Sequence, residues 1–379
     1  MMKNNIIKGK EHALGIPPVL SPRALNRALL ARQMLLTRVN LSVLDSIERL
    51  VGIQSQDPKA PYFSLWTRVE GFRPEDLSHL IQEKKVVRLS LMRATLHLVS
   101  SQDSLSLRPL VQSVHEKALK SAFSKDLKDL DLQAVAESGC ALVETNPMTL
   151  GELGKQLNKQ WPAVHPAALA AVIRTYVPLI QLPPRGLWGK SGQAVYTSSE
   201  KWLGKPSFSN LKIEDPILRY LAAFGPATIR DMQVWSGLTK LREKVDHLRP
   251  QLILFHDDQG NELFDIPDAP RPDQNIASPP RFLGGFDNLL LSYADRRRII
   301  PEEFRGKVFT RNGIIKPTLL IDGFVAGVWK IEEDKRAVRL IIALFKGLLS
   351  EDREALIEEG HRLLNLIVGL KRTREILFV

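Results

Sequence analysis

A single cysteine, Cys140, stands in 379 residues. One thiol can form neither an intrachain disulfide nor a cysteine-based zinc cage. The chain must therefore be held by packing and polar pairing, and Cys140 is expected to pack as a small hydrophobe near a helix. No apolar run approaches the roughly 18 residues that span a bilayer. The opening "MMKNNIIKGKEHALGIPPVL" has basic residues but no apolar stretch long enough for a secretory signal. A cytoplasmic protein without membrane attachment is the expectation. Also missing are the Walker loop, G-x-G-x-x-G, H-E-x-x-H and G-x-S-x-G. Their absence removes the usual support for ATP-driven, metalloprotease and serine-hydrolase chemistry, and no cofactor is expected.

Acidic residues are in short supply. Lys and Arg number 53 against 42 Asp and Glu, a formal net charge of +11. A basic chain without membrane features attracts polyanions, of which nucleic acid is the commonest. A basic enzyme acting on something else is the competing reading, and charge does not exclude it.

What is present reads as α+β. After a loose arm over residues 1–20, Ser21 is placed to cap a helix with Pro22 in its first turn. Ser42 caps a second helix carrying Leu44, Ile47 and Val51, a third starts near Pro61, and a fourth opens on Pro74-Glu75-Asp76. In "RLSLMRATLHLV" the period changes to two, which predicts a strand with Arg93, Thr95 and His97 on one face. Helices followed by a β element is the order of a winged helix-turn-helix. The order recurs over 146–210, with capping residues Thr149 and Glu152 and "PRGLWGKSG" as wing tip. It recurs again over 211–266, with Thr228 and Asp231 and a turn at "DDQGN". Three tandem winged helices are expected, over 21–145, 146–210 and 211–266. Residues 267–280, "PDAPRPDQNIASPP", hold five prolines and read as a linker. Beyond it, 281–379 reads as a separate β-rich α+β domain, with Asn-Gly and Asp-Gly turn signals and a closing helix from Ser350.

Among these ordinary features, "GIQSQDP" at 52–58 is unusual. Pro58 disfavours helix at Asp57, so the preceding helix ends at or before residue 56. In an extended segment i and i+2 point the same way, which would put Gln54 and Gln56 on one side. Two readings of the amides stand: they satisfy loop backbone groups, or they face a common site. The polar strand face of Arg93 and His97 lies next to that corner, either as solvent-facing surface or as part of the site. Basic residues at helix starts and wing tips are the expected phosphate contacts: Arg23, Arg27, Arg185, Lys190, Lys240, Arg242 and Lys244, with Arg93 and Arg296 of "ADRRRII" as further candidates.

The motifs "VGIQSQDPKAPYFSLWTRVEGF", "LMRATLHLV", "FLGGFDNLLLSYADR" and "LLIDGFVAGVWK", in that order, resemble the bacterial family of tandem winged-helix proteins that includes AlkZ/YcaQ-type DNA glycosylases. The resemblance covers about residues 20–370. It implies a C-shaped, monomeric, nucleoid-associated protein that binds double-stranded DNA, removes alkylated bases and unhooks interstrand crosslinks. It also implies a catalytic Gln-x-Gln element, which maps onto Gln54 and Gln56; the intervening Ser55 stands where that family often has an aliphatic or small residue. A non-catalytic winged-helix regulator or a damage-sequestering protein is the alternative.

Overall fold

A computed structural model describes residues 17–204, 212–367 and 373–379. Its helices begin where side chains can replace missing backbone partners. The Ser21 hydroxyl accepts from the Ala24 amide at 3.1 Å, with Pro22 first in α1 (Pro22–Arg32), and β1 (Val19–Leu20) precedes it. The first segment then runs α2 (Val43–Arg49), β2 (Ile53–Gln54), α3 (Ala60–Trp66), α4 (Pro74–Gln82), β3 (Val86–Ser90) and β4 (Leu96–Ser100). Helices α5 (Ser101–Leu110) and α6 (Gln112–Phe123) follow.

A second segment repeats the order as α7 (Leu132–Thr145), β5 (Met148–Thr149), α8 (Leu150–Asn158), α9 (Pro166–Tyr176), β6 (Leu179–Gln181) and β7 (Val195–Ser198), closed by α10 (Ser199–Leu203). A third has α11 (Glu214–Phe224), a β-bridge from Ala227 to Phe264, α12 (Ile229–Ser236), α13 (Arg242–Leu248), β8 (Ile253–Asp257) and β9 (Glu262–Asp265). The pairs Thr149/Glu152 and Thr228/Asp231 both form capping boxes, at α8 and α12. The chain ends in β10 (Arg281–Leu283), α14 (Glu302–Val308), β11 (Thr318–Ile321), β12 (Phe324–Glu333), β13 (Ala337–Leu344), α15 (Ser350–Ile367) and β14 (Thr373–Phe378). The architecture is α+β.

Hydrogen bonding joins the first two segments. Strands β2-β4-β3-β6-β7-β5 make one six-stranded sheet, with Leu89 of β3 paired to Ile180 of β6. Residues Val19–Leu20, read from sequence as part of a loose arm, instead pair parallel with β8 in a three-stranded sheet. Residues 1–16 of that arm, and the boundary expected at 210, lie outside the described residues. Helix α7 falls within the 21–145 expected for the first unit, but Val135 and Val143 share a core with Leu153, Leu169 and Ile173 of the second segment.

The boundary expected at 267–280 does not divide the apolar core. Val43, Ile47, Tyr62 and Leu65 of the first segment are buried together with Phe282, Trp329, Leu356 and Leu364. Likewise Leu29, Val99, Phe224 and Trp235 share a core with Leu283, Leu290, Tyr293 and Ile300. The proline-rich stretch itself is strapped to α1. Pro270 and Ile276 offer carbonyls to Arg32 and Arg27, and Gln274 offers one to Arg23. Proline explains the lack of periodicity there, while the carbonyls it leaves unpaired within the segment find guanidinium partners.

Buried arginines complete the stitching. Arg32 grips Asp265 through two bonds of 2.6 and 2.8 Å and also donates to the Leu221 carbonyl, with both charged side chains fully buried. Removing one partner of such a pair leaves an uncompensated charge in the interior. Asp265→Asn is therefore expected to destabilise the protein by about 3–5 kcal/mol, measured as the loss in unfolding free energy by urea titration.

Candidate active site

Strand β2 is two residues long, so its placement depends on what surrounds it. Val51 and Gly52 both take left-handed φ, 53° and 86°, turning the chain out of α2. A Cβ at Gly52 would lie 2.4 Å from Val99 Cγ1, so only glycine fits the turn against β4. Ile53 then pairs with Leu98 and Gln54 with His97, and the Ser55 amide donates to the Leu96 carbonyl at 2.8 Å. On the open edge of β2 the Asn288 side chain stands in for a neighbouring strand. Its Oδ1 accepts from the Gln54 amide at 3.1 Å and its Nδ2 donates to the Gly52 carbonyl at 2.7 Å.

The extended geometry alternates side chains. Ser55 turns to one side and meets Arg88, whose Nε donates to its hydroxyl at 2.9 Å. Gln54 turns to the other side, where its Oε1 accepts from Arg93 Nη2 at 2.6 Å. Gln54 is buried, Gln56 is exposed, and the Gln56 Oε1 accepts from the Leu96 amide at 3.1 Å. The helix before the motif thus ends at Arg49, earlier than the proline alone required. Gln54 closes β2 and Gln56 lies in the bend that follows it, and among the described residues the two make no hydrogen bond with each other.

Arg93 does not lie on a strand. The single strand read over "RLSLMRATLHLV" is two strands, β3 and β4, joined by a tight turn in which Arg93 and Ala94 have φ of 56° and 55°. Consecutive positive φ at an arginine and an alanine costs roughly 1–2 kcal/mol per residue. The turn is held by its surroundings: Arg93 donates to the Trp235 carbonyl, Arg174 to the Ala94 carbonyl at 3.0 Å, and Gly237 packs where a Cβ would fall 3.1 Å from Arg93 Cα. Strand alternation misled because the turn lacks the glycine or asparagine that normally marks one.

The charge state of the cluster follows from burial. His97 is fully buried, contrary to the solvent-facing option. Its Nδ1 lies 2.9 Å from the Thr95 carbonyl, which only accepts, so Nδ1 carries the proton and Nε2 faces Arg93 at 3.4 Å as acceptor. Burial first, and the Arg93 charge next, push the His97 pKa down to about 3, so the ring is neutral at physiological pH. Burial and then neighbouring Arg296 lower Arg93 to about 10, which leaves it charged. Arg93 therefore serves Gln54 and Trp235 rather than standing free for a phosphate.

The other expected phosphate contacts divide. Arg27 is completely buried against Asp322, Asn26 and the Ile276 carbonyl and is not available, while Arg23 is partly exposed and paired with Asp322 at 2.6 Å. Arg185 donates to the Gly192 carbonyl within a connection that folds inward, where Trp188 packs 4.9 Å from the Tyr62 ring. Only its first part is tucked in, while residues 189–193 are exposed. Arg296 is half-buried over the Phe309 ring at 4.7 Å. Lys190 and Lys240 are exposed, and Arg242 and Lys244 make only long ion pairs, 3.8 Å to Glu262 and 3.9 Å to Glu214. Arg88 and Asn288 were not singled out from sequence. Arg88 opens the period-two stretch "RLSLMRATLHLV", and Asn288 lies in "GGFDN", which no periodicity marks.

A family model described as DNA glycosylase AlkZ-like matches residues 47–366. A protein of Streptomyces sahachiroi named an interstrand DNA cross-link repair glycosylase is 25% identical over 337 residues, covering 81% of this chain and 87% of that protein. The solved structure of Streptomyces sahachiroi DNA glycosylase AlkZ aligns with a TM-score of 0.76 at 22% identity, covering 95% of this chain and 100% of that one. At that identity the likeness shows a shared fold.

His97 and His115, the latter buried with Nε2 3.0 Å from the Leu91 carbonyl, are both held to about 3 chiefly by burial. An unfolded chain binds protons at these rings below pH 6.5 while the folded one does not. Their contribution is full above pH 6.5 and is lost as pH falls towards 3. Between pH 7 and pH 5 each is expected to remove roughly 2 kcal/mol of stability, at 1.4 kcal/mol per pH unit below 6.5. Urea unfolding at the two pH values checks this; His97→Phe should flatten the dependence.

Proposed function

Because the chain belongs to the AlkZ-like DNA glycosylase family, we propose that this repair glycosylase hydrolyses the N-glycosidic bond of N7-alkylated purines, including those in interstrand crosslinks, with water placed by Gln54 and Gln56. The supporting observation is geometric. The two amides lie two residues apart where the chain leaves β2, and each has its Oε1 oriented by a guanidinium or backbone donor. Every carbonyl oxygen retains a second lone pair, able to accept a proton of one water. The three repeated segments act as tandem winged helices on double-stranded DNA, arranged as a C-shaped monomer in the bacterial cytoplasm. No helix among the described residues is long and apolar enough to cross a membrane.

The chemistry suits amides. An N7-alkylpurine carries a positive charge and departs neutral, so leaving-group protonation is unnecessary. Positive charge develops on the sugar, and the water must be aligned against C1′. Positioning and carbonyl dipoles supply what such a step needs; a neutral, unmodified base would require a general acid or base. Asp57, the adjacent carboxylate, is engaged at Oδ1 by the Lys59 amide at 2.9 Å and is exposed. Lys190, Lys240, Arg242 and Lys244, with Arg296, are the basic residues left to meet phosphates.

Purified protein incubated with duplex carrying N7-methylguanine, followed by alkali, is expected to yield strand breaks at the lesion. Gln54→Ala and Gln56→Ala should each slow base release by about 10²–10³-fold while duplex binding persists. Wild-type protein that binds the duplex without releasing base would instead favour a sequestering or regulatory protein.

A further inference from the structure

Several buried arginines among the described residues have acidic partners. Arg32 has Asp265, Arg68 has Asp287, and Arg38 and Arg281 share Glu359. Arg88 is 3% exposed and has none, a condition it shares with Arg108, which donates to Gln112 and the Thr175 carbonyl. The Arg88 Nε donates to the Ser55 hydroxyl at 2.9 Å, its Nη2 to the Ser55 carbonyl at 2.7 Å, and its Nη1 to Gln181 Oε1. Gln181 passes the chain on, donating to the Tyr196 hydroxyl at 3.0 Å. Burial, followed by the charge of Arg185, lowers Arg88 to about 10, so it remains a cation.

A buried cation bonded only to neutral oxygens is a poor choice for stability alone. Its geometry is specific instead. The planar fork holds both the side chain and the backbone oxygen of one residue, which fixes the rotation of the strand at Ser55. With Ser55 pinned towards Arg88, the preceding Gln54 is turned the other way, onto Arg93, and Gln56 follows directly. The same guanidinium reaches β6 of the second segment through Gln181, so the orientation of the glutamines is tied to that segment.

We propose that Arg88 is the positioning residue for the Gln54/Gln56 pair, acting through Ser55 and coupling the pair to the second segment. The proposal rests on the glutamines being the catalytic element. The obvious objection is that Arg88 merely supplies positive charge near a polyanion. Arg88→Lys retains that charge but cannot reproduce the fork.

The full chain and its Arg88→Lys, Arg88→Met and Ser55→Ala variants are compared by single-turnover release of N7-methylguanine, by duplex affinity, and by amide hydrogen exchange. Arg88→Lys is expected to lose about 10²-fold in release rate, the scale of a misplaced catalytic geometry, with duplex affinity unchanged. Exchange at the Ser55 amide should accelerate while Leu98 and Val99 stay protected. In a Gln54→Ala background Arg88→Lys should add little further loss. Wild-type release and exchange in Arg88→Lys would overturn the proposal, as would equal extra loss in the Gln54→Ala background. A wild-type protein that releases no base defeats the glycosylase reading separately. Exchange then decides positioning alone: unchanged Ser55 protection in Arg88→Lys and Ser55→Ala refutes it. These two milder variants serve if Arg88→Met fails to fold.

Discussion

A strand of two residues cannot hold its own register, and β2 pairs only through Ile53 and Gln54. One edge of it is covered by β4; the other would expose a carbonyl and an amide in the interior. Asn288 satisfies both with the two ends of one amide. Its own placement depends on Asp287, which accepts from Arg68 at 2.8 and 2.9 Å and from the Leu289 amide at 3.0 Å. Arg68 in turn is anchored on the Ser64 carbonyl in the last turn of α3. The candidate catalytic strand is thus held by a dipeptide from the far end of the chain, itself held by the first segment. Such a closed circuit requires the first and last thirds to pack as one core, and they do. A proline-rich stretch between them has to be long enough to travel and rigid enough to be strapped down, rather than free.

The same circuit changes what a net charge of +11 means. Arg27, Arg32, Arg68 and Arg281 hold distant segments together from inside. Guanidinium suits this work because its five donors reach several oxygens at once. Such residues contribute to a formal count without offering a phosphate anything. The excess available to a polyanion lies with lysines and arginines whose partners are absent or distant, such as Lys190, Lys240 and Arg242. Composition pointed in the right direction; the particular arginines it nominated were largely structural.

Local rules were legible where local physics decides. The caps at Ser21, Ser42, Thr149 and Thr228 stand where hydroxyl residues precede apolar periodicity. Asp322-Gly323 turns between β11 and β12 with φ of 46° and 82°, as its residue types require. What could not be read was anything set at long range. Nothing near Arg93 signals a tight turn, since Trp235, Gly237 and Arg174 supply the holding forces from the third and second segments. Nothing near Asn288 signals that it edges a strand more than two hundred residues earlier. Four motifs in order did carry the family, because a family pattern encodes such long-range contacts without displaying them.

The electrostatics around β2 bear on the proposed reaction. Arg88 and Arg93 lie on opposite sides of the strand, and both are bonded only to neutral groups. No carboxylate hydrogen-bonds to either glutamine among the described residues, so no strong base is held against the proposed water. On the proposed reading, reactivity must then come from the lesion: the positive charge that alkylation places on the purine makes it leave without a proton. A positive environment disfavours retaining that charge on the base near Arg93, and the phosphates of bound DNA would supply the missing counter-charge. On that same reading, selectivity would lie in what neutral amides cannot do. An unmodified purine, which needs acid assistance to depart, would find no acid in contact with the glutamines, while a cationic one needs only an aligned water.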